Sequence, residues 1–449
     1  MPRLIARTLA ALALALAATA TACRDAAVLE HWQPSTPHER YAERLRAAAL
    51  DSTALGRDWL AAADSVLRHP VPAALPFREV GYFAADEARA VAYRMQLRAG
   101  QRVVAEISGD GAAPFRLFVD LYRVPGDSAS ADRALDELER VAGVDSVGRV
   151  QAVARRDGAY VLRVQPELLR SGRYTLTVRA EPSLAFPVQG RGSAAVRSFF
   201  GADRDGGRRA HHGIDIFAPR GTPAVAALDG VIRSTNPNRL GGNVVWLYDA
   251  EGRQSLYYAH LDTVLVSAGT PVRAGDTLGL VGNSGNARTT PPHLHFGIYQ
   301  RGSGPVNPFP FVHQPTARPA PVDAALTALG GLVRVRGAAA LLDAPDGAAG
   351  RRLVAGTPAR VVGARAGFYR VVLPDGVPGY VLARNVESAD AAIRRTRVPP
   401  GTVVRDRPAP TASVMDSLTA DTALAVLGRF APFTLVRTAG GREGWVALR

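Results

Sequence analysis

His293-Leu294-His295-Phe296-Gly297-Ile298 alternates polar and apolar side chains with a period of two. That alternation belongs to a strand with one face in a core, and it puts both imidazoles on the opposite face. His211-His212-Gly213-Ile214-Asp215-Ile216 is built alike: His211 and Asp215 are four apart, so on extended backbone they share a face, and Gly213 lets the chain bend between them. A third piece, Tyr257-Tyr258-Ala259-His260-Leu261, sets His260 near the end of another strand. Five of the nine histidines (His211, His212, His260, His293 and His295) fall within one stretch of 85 residues, and that clustering points to a metal.

A catalytic zinc takes three protein donors, imidazole nitrogen and carboxylate oxygen among them, and leaves its fourth position to water. His211, Asp215 and one histidine of the HxH pair supply such a set. Two histidines then remain for proton transfer or for stabilising an oxyanion. Sulfur ligation is excluded, because the only cysteine is Cys23, at the N-terminal end. There is no HExxH pattern, so the glutamate base that accompanies it is absent.

Together these pieces resemble the lysostaphin/LytM family of zinc endopeptidases over about 130 residues. The matching text runs through His211-His212-Gly213-Ile214-Asp215-Ile216-Phe217-Ala218-Pro219, Gly221 to Ala227, Gly230-Val231, Tyr258-Ala259-His260-Leu261, Val272 to Asp276, Gly282-Asn283-Ser284-Gly285 and Pro292-His293-Leu294-His295-Phe296. The resemblance implies an antiparallel β domain with an open groove, one Zn²⁺ ion, and hydrolysis of a peptide bond by a water that the metal activates. It implies that His211, Asp215 and His295 bind the metal, and that His260 and His293 are the catalytic histidines beside it. His212 reads as a partly exposed bystander, and His31, His38, His69 and His313 receive no role. One stretch departs from the family: before the HxH pair it often runs Ser/Thr-Gly-Pro-His, whereas here Asn286-Ala287-Arg288-Thr289-Thr290-Pro291-Pro292-His293 has no glycine before the final proline. This loop is expected to line the cleft and to bear on substrate choice.

Outward from this unit, at residues 186–312, the chain reads as a mainly β, multidomain protein. Residues 23–74 are helical: Thr36-Pro37-His38-Glu39 offers an N-cap, a proline at the first helical position and an acid in the first turn, and Asp51 offers a second start. Residues 75–182 hold short β-rich runs (Val103–Ile107, Phe115–Val119, Tyr160–Val164, Tyr174–Val178) separated by Gly/Asp/Ser turns, which predicts a β-sandwich. A proline-rich stretch from Pro305 to Pro321 predicts an extended linker, assigned to 313–325. Residues 356–384 then align without gaps on 421–449, so the C-terminal part is a repeat, and each copy ends in Gly-aromatic-Val (Gly379-Tyr380-Val381, Gly444-Trp445-Val446). Units 326–386 and 390–449 are similar to bacterial SH3-like domains, which in cell-wall enzymes often bind the wall.

The first 22 residues read as a signal peptide: arginines, then the apolar run Leu9–Ala18, then small residues before Cys23. A lone cysteine there resembles the lipidation site of a bacterial lipoprotein, with Ala20 departing from the preferred Leu. Arg24 in place of Asp implies an outer-membrane anchor facing the periplasm. The formal charge is +14 and every basic residue is arginine, but the arginines are scattered and no nucleic-acid motif accompanies them, so no nucleic-acid partner is expected. The expected partner is the stem peptide of peptidoglycan. The expected function is a zinc endopeptidase acting on its cross-links; the alternative is a non-catalytic wall-binding activator or scaffold for cell-wall amidases.

Overall fold

The computed structural model describes residues 36–110, 116–124, 136–144 (backbone), 147–204 and 206–448. The expected signal peptide and Cys23 lie outside the described residues. No described helix is long and apolar enough to cross a membrane.

Helix α1 (Pro37–Ala47) starts as its sequence predicts. The Thr36 hydroxyl accepts from the Glu39 amide at 2.9 Å, and the Glu39 carboxylate accepts from the Thr36 amide at 2.7 Å. Asp51 does not start the second helix. Thr53 does, accepting from the Gly56 amide, and α2 spans Ala54–Arg68. The reason is local: Ala49 turns into left-handed backbone and Leu50–Ser52 forms a 3₁₀ turn, which moves the cap two residues on. Trp59 of α2 is fully buried and stacks at 4.7 Å on the ring of His38. His38 meets the Gln165 side chain at 2.7 Å, and burial lowers its pKa to about 4. It is a packing residue.

Eight strands follow: β1 (Phe77–Phe83), β2 (Val91–Leu97), β3 (Gln101–Asp110), β4 (Leu117–Arg123), β5 (Asp136–Val144), β6 (Val147–Val153), β7 (Gly158–Pro166) and β8 (Gly172–Pro182). They make two antiparallel layers, in the orders β2-β7-β4-β5 and β1-β8-β3-β6. Alternate side chains of both layers (Tyr93, Leu121, Leu162, Ile107, Leu176) fill one core between them.

The histidine-rich unit uses β9 (Val196–Ser198), β10 (Ile214–Phe217), β11 (Pro223–Val225), β12 (Gly230–Ser234), β13 (Asn243–Asp249), β14 (Gln254–Val264), β15 (Thr277–Val281), β16 (His293–Gln300) and β17 (Gly304–Val306). The main sheet runs β9-β10-β16-β14-β13-β12, with β15 bridging β14 and β11. Its apolar face (Ile214, Ile216, Tyr258, Leu294, Phe296, Ile298) is buried, so the alternating partners face outward. Residues 305–312 are not linker: Pro305 pairs in β17, and α3 (Phe309–Val312) buries Phe311 and Val312 in this core. Apolar burial outweighs the prolines there.

The repeat copies share a strand pattern. The first has β18 (Leu332–Val335), β19 (Ala339–Leu342), β20 (Ala349–Leu353), β21 (Pro358–Arg365), β22 (Phe368–Val372), β23 (Pro378–Leu382) and β24 (Val386–Ser388). The second has β25 (Arg394–Val398), β26 (Val403–Arg405), β27 (Val414–Ser417), β28 (Thr422–Phe430), β29 (Phe433–Arg437) and β30 (Glu443–Ala447). Gly363 and Gly428 mark the same bulge in each. A Cβ on Gly379 would stand 2.5 Å from Leu341, and one on Gly444 would stand 2.4 Å from Val404, so both repeats need glycine before the aromatic residue.

Strand pairing also crosses these units. β21 pairs with β1 through Val80–Ala364 and Gly81–Gly363, so one sheet continues from the N-terminal layers into the first repeat copy.

Candidate metal centre

Adjacent strands β10 and β16 bring Asp215 opposite His295. His211 lies just before β10, with its amide bonded to the Ala202 carbonyl. His211 Nε2 and His295 Nδ1 each stand 3.0 Å from Asp215 Oδ1 and 2.9 Å from one another. Among the described residues these three form the cluster able to hold a metal ion. Two imidazole nitrogens and a carboxylate oxygen converging on one point suit the donor set that zinc prefers. Gly213 keeps the cradle open: a Cβ there would stand 2.6 Å from the His295 ring.

Neighbouring groups fix these ligands. His211 donates Nδ1–H to the Phe199 carbonyl at 2.9 Å, which leaves Nε2 as the donor to a metal. Burial pushes the Asp215 carboxyl up, but its bonds to His211 and His295 prevail and hold it well below the usual carboxylate range. Burial also lowers His295, against the pull of Asp215.

His260 and His293 flank the cluster, with ring centroids 5.0 Å apart; His260 lies 6.0 Å from His295. His260 donates Nδ1–H to Ser284 O and His293 donates to Pro291 O, both at 2.9 Å. Each therefore keeps Nε2 unprotonated in its neutral form. Burial, and then the neighbouring His293 and His295, lower the His260 pKa to about 4. His260 also takes left-handed backbone, φ 64°, which costs about 1–3 kcal/mol for a residue with a Cβ and is held by its amide bond to Gly241 O. All five clustered histidines line one cavity of about 630 Å³, with His212 exposed at its rim. His38, His69 and His313 do not line it; His31 lies outside the described residues. A larger cavity of about 970 Å³ lies where the 72–76 turn meets residues 313–317, with no cluster of metal donors.

Sequence reasoning missed several groups here. Arg204 Nη2 donates to Asp215 Oδ2 at 2.8 Å and to Ser198 Oγ at 2.6 Å, so the carboxylate oxygen turned away from the cluster is also held. No periodicity marks Arg204, which lies outside any long strand. Trp246, Tyr257 and Tyr299 form an aromatic wall, with Trp246 4.4 Å from Tyr257 and 5.1 Å from Tyr299. The available signal was on β16, where Tyr299 keeps the parity of His293 and His295; Trp246 and Tyr257 lie one each on β13 and β14. In the departing loop, Asn286, Ala287 and Thr290 line the cavity.

Comparison with known proteins bears on this stretch. Residues 209–308 match Peptidase family M23. The M23 segment holds all five clustered histidines and Asp215, while Ser198 and Arg204 precede it. An L-Ala--D-Glu endopeptidase of Bacillus subtilis (strain 168) is 38% identical over 124 residues, covering 26% of this chain and 38% of that protein. DD-carboxypeptidase/endopeptidase Mpg of Neisseria meningitidis serogroup B is 44% identical over 100 residues, 22% of each chain. Peptidoglycan DD-endopeptidase ShyC of Vibrio cholerae serotype O1 is 39% identical over 94 residues, 21% of each chain. The chain thus spans less than two fifths of the length of these relatives.

Proposed function

We propose that this protein is a zinc-dependent endopeptidase that cuts peptide cross-links of bacterial peptidoglycan. The convergence of His211 Nε2, Asp215 Oδ1 and His295 Nδ1 on one point in an open groove carries this reading. The three relatives, all named as endopeptidases and one as a peptidoglycan enzyme, support the substrate class.

When bound, zinc would polarise the peptide carbonyl and bring the pKa of a water from ~16 toward about 7. The remaining work falls to the chain. His260 has its Nδ1–H engaged by the Ser284 carbonyl, so its Nε2 is the ring nitrogen left to accept a proton. His293, held the same way by Pro291 beside His260, offers a second Nε2 through which that proton can pass to the leaving amine. Acid–base help of this kind is worth roughly 10²–10⁴-fold. The aromatic wall of Trp246, Tyr257 and Tyr299 offers a platform for the extended peptide.

In this reading the N-terminal layers form a β-sandwich, the repeat copies are SH3-like modules that contact the wall, and Cys23 is the lipidated residue of an outer-membrane lipoprotein facing the periplasm.

The deciding experiment digests purified sacculi with protein lacking residues 1–23, beside His211→Ala and His295→Ala, with products read by mass spectrometry. Chelator-sensitive release of cut cross-links, lost in both variants while they stay folded, is the expected result and names the bond. Zinc binding without any cleavage would sink the enzyme reading and turn attention to amidase activation.

A further inference from the structure

A second cavity, of about 680 Å³, adjoins the groove and shares Tyr299 with it. Val231, Tyr248, Ser255 and Tyr299 are successive cross-strand partners on β12, β13, β14 and β16. They form one row on the outward face of the sheet. In the row before it, Trp246–Tyr257–Gly297, both aromatic residues line the metal groove. The two cavities are therefore stations on one surface. Tyr299 is four residues past His295, roughly 13 Å at ~3.3 Å per residue. A peptide laid across the groove covers that span with about four extended residues.

The second cavity differs from the first in charge. Arg233, Arg253 and Arg301 line it, and no carboxylate does. None of the three forms an ion pair among the described residues; the Arg233 guanidinium instead sits 6.0 Å over the Tyr248 ring. Nearby arginines behave otherwise: Arg204 pairs with Asp215 and Arg220 with Asp262. Three like charges left uncompensated around one concavity repel one another, and an arriving anion relieves that repulsion. Guanidinium groups also match carboxylates as two-pronged donors.

We propose that Arg233, Arg253 and Arg301 form an outer subsite of the groove that binds free carboxylates of a peptide substrate about four residues from the metal. The ligand's identity rests on the peptidase reading; the subsite's preference for carboxylate does not. The occupied pocket anchors the remote end of the substrate, so its energy enters binding more than the chemical step.

The test compares a fluorescent cross-linked dimer of stem peptides bearing free carboxylates with the same dimer amidated at each of them. Binding to chelator-treated full chain is read by anisotropy, and cleavage by the zinc-loaded chain is read as KM and kcat. The acidic peptide should bind about fivefold more tightly than the amide, and an Arg233→Gln/Arg301→Gln double variant should remove that difference without weakening the amide. In cleavage the same loss should fall on KM, with kcat unchanged. Equal binding of acid and amide by the wild type, or discrimination that survives in the double variant, overturns the subsite. Inorganic phosphate displacing the acidic peptide at far lower concentration than acetate does would also overturn it, marking a phosphate site. Selective binding without cleavage would uphold the subsite while the peptidase reading falls; cleavage without selectivity would do the reverse.

Discussion

Glu79 and Arg370, 291 residues apart in sequence, meet at 2.8 Å where both side chains are nearly closed to solvent. Tyr93 and Tyr380 each donate a hydroxyl to the same carboxylate at 2.7 Å, and Arg370 also reaches Tyr174 Oη at 3.2 Å. The network sits beside the β1–β21 junction, so it fastens the N-terminal layers to the first repeat copy.

Breaking one side of this pair should be costly. Arg370→Met leaves a buried carboxylate with two hydroxyl donors and no counter-charge, and about 3–5 kcal/mol of stability should go with it. Glu79→Gln/Arg370→Met, which removes both charges, should recover much of the loss. Denaturant unfolding of both variants checks this; equal stability of the single and double variants would contradict it.

The metal ligands answer to zinc binding itself. Asp215→Asn, His211→Ala and His295→Ala should each weaken zinc by more than the roughly 100-fold that changes in supporting groups reach. Competition with a chromophoric chelator reads this directly, while unchanged circular dichroism shows that the fold survives.

Arg204 should matter through Asp215. Its bond to Oδ2 fixes the carboxylate so that Oδ1 faces both histidines. Arg204→Gln should weaken zinc roughly 10–100-fold, with partial recovery in Arg204→Lys. Tighter zinc binding in the variant would instead mark the guanidinium as a competitor for the carboxylate.

Acid should loosen the N-terminal part through His38. Its folded pKa is near 4, against an ordinary 6.5, so the unfolded chain binds the extra proton between those values. The stabilisation is complete above about pH 6.5 and fades as pH falls toward 4, by about 3 kcal/mol at 1.36 kcal/mol per pKa unit. His38→Gln should flatten that slope in unfolding curves taken from pH 7 to 4.

Much of the site was legible because strands report their faces every two residues. Leu294 and Phe296 went into the core as alternation required, and that turned His293 and His295 outward together. Arg204 carried no such mark, since it is placed by a turn and a charge partner rather than by a period. Glu79 misleads for a related reason. In Phe77-Arg78-Glu79-Val80-Gly81 it reads as one more polar residue of a half-buried strand, and only Arg370, distant in sequence, makes its full burial tolerable. The continuation of β1 into β21 left no trace in the pattern, because backbone groups at a strand edge make it and side chains do not announce them.

That continuation also bears on how the protein is made. β1 ends at Phe83 and its partner β21 begins at Pro358. At roughly 5–20 residues per second a ribosome needs on the order of half a minute to add the segment between them. Throughout that interval the growing chain presents an open β edge while the M23 segment is being synthesised, and open edges recruit other strands. A nascent chain released early, before residue 358, would keep that edge for good, which makes premature termination a route to aggregation as well as to lost function.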